Sequence, residues 1–89
     1  PDYACCTFRG GVTALAAADG RPLWRMHTTD APRRVGATRV GTAVMAPSGA
    51  PVWSTPTVDA RRGLIYVGTG ENYSSPANHM SDAIIAIEA

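Results

Sequence analysis

Apolar residues in this chain come in short runs, some alternating with polar residues and some continuous over four to eight positions, and each run is closed by Gly, Pro, Asp or Asn. That punctuation predicts short strands and an all-β fold. Gly11 to Ala17 (GVTALAA) reads as a strand, Ala18-Asp19-Gly20 as a tight turn, and Pro22 to Thr28 (PLWRMHT) as the returning strand of a hairpin. The stretch Ala14 to Ala18 favours helix by propensity, but Gly10, Gly11, Gly20 and Pro22 leave too little length for a stable one. From Thr29 to Ala50 no period is sustained, and the segment reads as a long irregular loop of the kind that carries function or is covered by a partner. Val52 to Val58 (VWSTPTV), a turn over Asp59 to Gly63 (DARRG), and Leu64 to Gly68 (LIYVG) form a second hairpin rich in β-branched and aromatic residues. A polar loop from Thr69 to Asp82 leads into a third apolar strand, Ala83 to Ile87 (AIIAI).

A partial internal repeat relates Gly11–Ala17 to Asp82–Glu88 in pattern, and repetition implies an array. The hairpin at 11–28 reads as the last two strands of one four-stranded antiparallel unit, and 51–89 as the first three strands of the next. Four-stranded sheets repeated around an axis are the blades of a β-propeller. The expected organisation is the end of one blade (1–28), a long loop (29–50) and most of the next blade (51–89). Partial blades leave strand edges unpaired, so such a piece should need the rest of a propeller or self-association to cover them.

Composition sharpens this picture. The chain has 89 residues, and a domain of that size buries little more than about 60% of its unfolded surface, a marginal core. It begins at Pro1 without an initiator methionine, which fits a piece of a longer chain. Eight arginines against seven acids give a net charge of +1, so there is no polybasic stripe for nucleic acid. No run of about 18 apolar residues occurs, and no charged segment leads into an apolar one with a small-residue cleavage site, so neither a membrane span nor a signal peptide is read.

Both cysteines, Cys5 and Cys6, are adjacent. As reduced thiols on a strand they would point to opposite faces, one buried and one in water. As a vicinal disulfide they would strain the intervening peptide, mark a site, and require an oxidising compartment.

Three segments together resemble the eight-bladed quinoprotein alcohol dehydrogenases that use pyrroloquinoline quinone, most closely the polyvinyl-alcohol dehydrogenase type. They are Ala4 to Trp24 (ACCTFRGGVTALAAADGRPLW), Trp53 to Asp59 (WSTPTVD) and Gly63 to Asn72 (GLIYVGTGEN). The resemblance implies a periplasmic or secreted enzyme that oxidises alcohols and passes electrons to a cytochrome c. It places Trp53 where the family has the tryptophan whose indole lies flat beneath the quinone, a role suited to a large rigid aromatic face. Trp24 takes the structural position of a blade-closing tryptophan. Ala4, Cys5 and Cys6 fall where the family approaches the cofactor.

Two departures bear on the calcium ion that the family holds beside the quinone. After Gly70 the family carries a ligating asparagine, whereas this chain has Glu71 there and Asn72 next. Either offers the hard oxygen that Ca²⁺ takes, with Glu71 first. Cys5 stands where the family has a glutamate ligand, and neutral sulfur is a poor calcium ligand. The family's adjacent-cysteine disulfide belongs to an earlier blade, so this pair is not equated with it. The family's catalytic aspartate lies in a later blade, so the piece alone is not expected to turn over.

Other signals are weaker. Gly68-Thr69-Gly70 lacks the following helix and third glycine of a dinucleotide loop, and Ser48 lacks a nucleophile elbow. His27 and His79 read as ordinary surface or loop histidines, and the arginines at 33, 34, 61 and 62 as solvated loop charges. Asn72-Tyr73-Ser74 matches a glycosylation sequon. Two other classes stay open: a non-catalytic propeller scaffold that binds protein, which would need neither the cysteine pair nor the Gly-Thr-Gly-Glu-Asn loop, and a small standalone β module that oligomerises through its strand edges.

Overall fold

The computed structural model describes residues 7–89, and among them every regular element is a strand. In chain order these are β1 (Gly11–Leu15), β2 (Pro22–His27), β3 (Arg33–Ala37), β4 (Ala43–Ala46), β5 (Thr57–Asp59), β6 (Leu64–Gly68) and β7 (Ile84–Glu88). They form two antiparallel hairpins, β1-β2 and β3-β4, and one three-stranded antiparallel sheet in the order β5-β6-β7. The all-β expectation is met, and these small antiparallel sheets are what a propeller fragment supplies. The largest has three strands, so a complete four-stranded blade is not closed among the described residues.

Local chemistry explains the two hairpins the sequence pattern finds. In β1 burial alternates, turning Val12 and Ala14 inward, and their cross-strand partners Met26 and Trp24 are half-buried too. On the opposite face Arg25 Nε donates to Thr13 Oγ1 at 2.9 Å. The connecting turn is closed by Gly20 N to Ala16 O at 2.8 Å, with Gly20 at φ +74° and Asp19 Oδ1 accepting from Arg21 N. Trp24 is half-buried on β2, opposite Ala14. In the β5-β6-β7 sheet the buried face pairs Ile65 with Ile87 and Val67 with Ile85, and Val67 is almost wholly enclosed. The β5–β6 turn is fixed by Asp59, which accepts from Arg62 N and pairs with its guanidinium at 2.8 Å.

Three boundaries differ from the sequence reading. Within 29–50, read as irregular, the structure has the β3-β4 hairpin, whose turn is held by Thr38 N to Thr42 O at 2.8 Å and Gly41 N to Thr38 O at 3.0 Å. All five residues of β3 are exposed, so the strand buries neither face and leaves no hydrophobic alternation to detect. Val52 to Val58 yields only the three-residue β5, because Pro56 removes a backbone donor directly before it; Val52 contributes one isolated bridge to Thr69. The last strand is shifted by one residue, since Ala83 O is taken by both Thr69 N and Thr69 Oγ1.

The described chain is a slab of 52 × 27 × 16 Å with a radius of gyration of 15.3 Å. A compact domain of this length would be near 12 Å by the usual scaling, roughly 2.2·N^0.38. The buried apolar residues are few, Ala46, Ala50, Val67 and Ile87, while Leu15, Leu23, Val58 and Ile84 lie exposed. What joins the sheets is a seam of backbone rather than a side-chain core.

Candidate functional site

That seam is built by segment 48–53, which runs between segments 8–10 and 68–73. Gly49 bridges both ways, in parallel to Arg9 and antiparallel to Asn72. Its N–H donates to Phe8 O at 2.9 Å, and its carbonyl accepts from Gly10 N at 3.1 Å. On the other side Tyr73 N donates to Ser48 O, Ala50 N to Glu71 O and Gly70 N to Pro51 O, at 2.8, 2.8 and 2.9 Å. Ser48 is fully buried, its N–H on Ser74 Oγ and its hydroxyl on Phe8 O, so it serves as a structural hydroxyl. Glycine is required at two points of the seam. A Cβ on Gly10 would collide with Ala50 O, and one on Gly49, at φ +111°, with Tyr73 N. Ala50 holds φ +50° and is completely enclosed.

At the rim of this seam Trp53, a site candidate from the sequence, lies against Gly70, and the other two candidates, Glu71 and Asn72, follow Gly70 directly in the chain. Trp53 is tied by its backbone N to Gly68 O at 3.3 Å, yet its indole is 79% exposed. A Cβ on Gly70 would lie 3.4 Å from Trp53 Nε1 and 3.2 Å from Pro51 Cγ, so the bare glycine lets both rings close over the strand end. Glu71 uses its carbonyl in the seam and exposes its side chain. Asn72 is half-buried, and its Nδ2 donates to Ser74 O at 2.5 Å and Pro76 O at 3.2 Å. Those two donations fix the amide's orientation and leave Oδ1 buried with no hydrogen-bond partner. Ala4, Cys5 and Cys6, the other residues expected near a cofactor, lie outside the described residues.

The Asn72 amide oxygen, buried without a donor, and the exposed Glu71 carboxylate are each a hard oxygen of the type Ca²⁺ accepts. An exposed indole face beside a glycine that adds no side-chain bulk is a platform for a flat ring system. Among the described residues no group of three or more His, Cys, Asp or Glu side chains converges.

His27 and His79, far apart in sequence, line one cleft together with Arg9, Thr28, Thr29 and Asn78. Sequence reasoning missed this grouping because it depends on long-range backbone bridging, with Asn78 Nδ2 donating to Thr28 O across 50 positions. It missed Gly10 and Gly49 as well, where the only local signal was the Pro47-Ser48-Gly49 run.

Compared with known proteins, the chain is 44% identical over 90 aligned residues, all of its length, to a polyvinylalcohol dehydrogenase of Sphingopyxis sp. (strain 113P3). It is 40% identical over 89 aligned residues, 97% of its length, to a polyvinylalcohol dehydrogenase of Pseudomonas sp.. The chain spans 14% of the length of each of these curated relatives. No family model matches it, and no solved structure matches it significantly.

Proposed function

We propose that this chain, similar over its whole length to a segment of the polyvinyl alcohol dehydrogenases, is the cofactor-flanking part of an alcohol-oxidising quinoprotein propeller. The observation that carries the reading is the Trp53 indole, 79% exposed, lying against the bare Gly70 at the strand end, with Glu71 and Asn72 following Gly70 directly in the chain. The substrate is an alcohol, polymeric or secondary, the electron acceptor a cytochrome c, and the compartment periplasmic or extracellular, where an adjacent-cysteine disulfide is stable.

Pyrroloquinoline quinone, when bound, supplies the hydride-accepting carbon for oxidation of the carbinol. The work of this chain is to bind and orient. Trp53 offers its exposed face for stacking, held in register by its backbone bond to Gly68 O. Asn72 Oδ1, aimed by the two hydrogen bonds of its own Nδ2, and the Glu71 carboxylate are the groups that would hold Ca²⁺. Ala4, Cys5 and Cys6 would approach the cofactor from their family position. Proton removal from the substrate hydroxyl falls to an aspartate in another blade.

Titration of the full-length protein with pyrroloquinoline quinone and Ca²⁺, repeated on Trp53→Ala, tests this. Stacking of this kind contributes about 0.5–1.5 kcal/mol beyond area burial, so the variant should bind roughly 2- to 10-fold more weakly. Absence of quinone binding to the wild-type protein would sink the reading.

A further inference from the structure

The cleft that His27 and His79 line, of about 610 Å³, lies where the end of β2, the start of β3 and the β6–β7 loop meet, and neither Trp53 nor Glu71 lines it. Its volume is in the range of small-molecule sites, roughly 300–1,000 Å³. The fully charged side chains along it are Arg9, Arg33 and Asp30, so its formal balance is cationic even with His27 and His79 neutral. Among the described residues neither arginine is paired with a carboxylate. Arg9 is nonetheless fixed in place, because Nε and Nη2 both donate to Thr29 O, at 3.2 and 2.8 Å. Its remaining N–H groups stay unspent.

Two buried polar atoms of the lining residues lack partners. Thr29 is 6% exposed and its Oγ1 makes no hydrogen bond; His27 Nδ1 is likewise buried and unpaired. Buried polar groups in native proteins are nearly always satisfied, and an orphan hydroxyl beside an oriented guanidinium is a donor waiting for an acceptor. Pro47, Pro76 and Met80 complete the lining with apolar surface. Donors on one part and hydrocarbon on another suit a ligand that is itself divided in this way.

We propose that this cleft is a separate binding site for a small organic carboxylate. Its carboxylate meets Arg33 and the free N–H groups of Arg9, with the Thr29 hydroxyl donating a further hydrogen bond. Its short apolar body lies against Pro47, Pro76 and Met80. Charge-assisted bonds from guanidinium to carboxylate set the specificity, and the apolar lining sets the preference over an inorganic anion.

The test is calorimetric titration of the full-length protein with hexanoate, with hexanol as its neutral counterpart and with inorganic phosphate. Hexanoate should bind saturably, and hexanol about tenfold or more weakly. Arg33→Ala should weaken hexanoate by about tenfold and Thr29→Val by about threefold, with the thermal transition of the exposed Arg33 variant unchanged. Lack of saturable hexanoate binding, equal binding of hexanol, displacement of hexanoate by phosphate, or an Arg33→Ala affinity within twofold of wild type would each overturn the proposal. Quinone binding is not involved in any of these readouts, so the two sites stand or fall separately.

Discussion

Gly49 lies so close to Tyr73 that a Cβ on it would run into the Tyr73 backbone nitrogen, and its φ of +111° is itself one that other residues avoid. Gly20 shares the positive φ, at +74°, but has nothing within 4 Å of its would-be Cβ. The pair separates backbone strain from collision. Gly20→Ala should cost about 1–2 kcal/mol, the usual penalty for a side chain in the left-handed region. Gly49→Ala should cost distinctly more, since it must also break the seam. Comparing the unfolding temperatures of the two variants in the full-length protein checks this, and equal shifts would contradict it.

Neighbouring threonines make a sharper contrast. Thr28 Oγ1 donates to Ala50 O at 2.7 Å in a buried setting, whereas Thr29 Oγ1 is buried without a partner. Thr28→Val leaves a buried carbonyl one donor short and should destabilise by about 1–3 kcal/mol. Thr29→Val removes an orphan hydroxyl and should be near neutral or slightly stabilising in the absence of ligand. Thermal or denaturant unfolding of the two variants gives the ordering directly.

Glu71 and Asn72 are the two residues proposed as calcium ligands, and their settings differ. Glu71→Gln alters an exposed side chain, so its unfolding should match wild type while the Ca²⁺ concentration needed for quinone binding rises if the carboxylate ligates. Asn72→Ala strips both carbonyls, Ser74 O and Pro76 O, of a donor, so it should lower stability by about 1–3 kcal/mol besides weakening the metal. A Glu71→Gln protein with unchanged Ca²⁺ dependence would assign the role to Asn72 alone.

The 89-residue chain expressed by itself should not behave as a well-folded monomer. Among the described residues strand edges are open, and large apolar side chains such as Ile84, 84% exposed, have nothing to cover them. Size exclusion should show association or an expanded species, with no cooperative melt. A sharp monomeric transition would overturn this expectation.

The parts of the fold legible in the sequence are those where one strand face is buried. Val12 and Ala14 write their burial into a period-two pattern, Val67 and its partner Ile85 lie in continuous apolar runs, and Asp19-Gly20 and Asp59 mark the turns. The β3-β4 hairpin was invisible because Arg33, Arg34 and Val35 are all exposed, leaving no face to encode. Trp53 was reached only through resemblance; nothing in its local pattern distinguishes it from a core tryptophan. The carboxylate cleft was out of reach because Arg9, Thr29 and His79 meet only after Gly49 has bridged two segments, a relation no local window contains.

The β3-β4 hairpin pairs with itself and with no other strand among the described residues, and its tip, Val40-Gly41, stands in solvent with Val40 88% exposed. Length changes there disturb neither the seam nor a sheet. The hairpin is therefore the place where homologues can vary in size at little cost, and where an affinity tag or a fluorescent reporter can be inserted between Val40 and Gly41 without reaching Trp53 and Gly70.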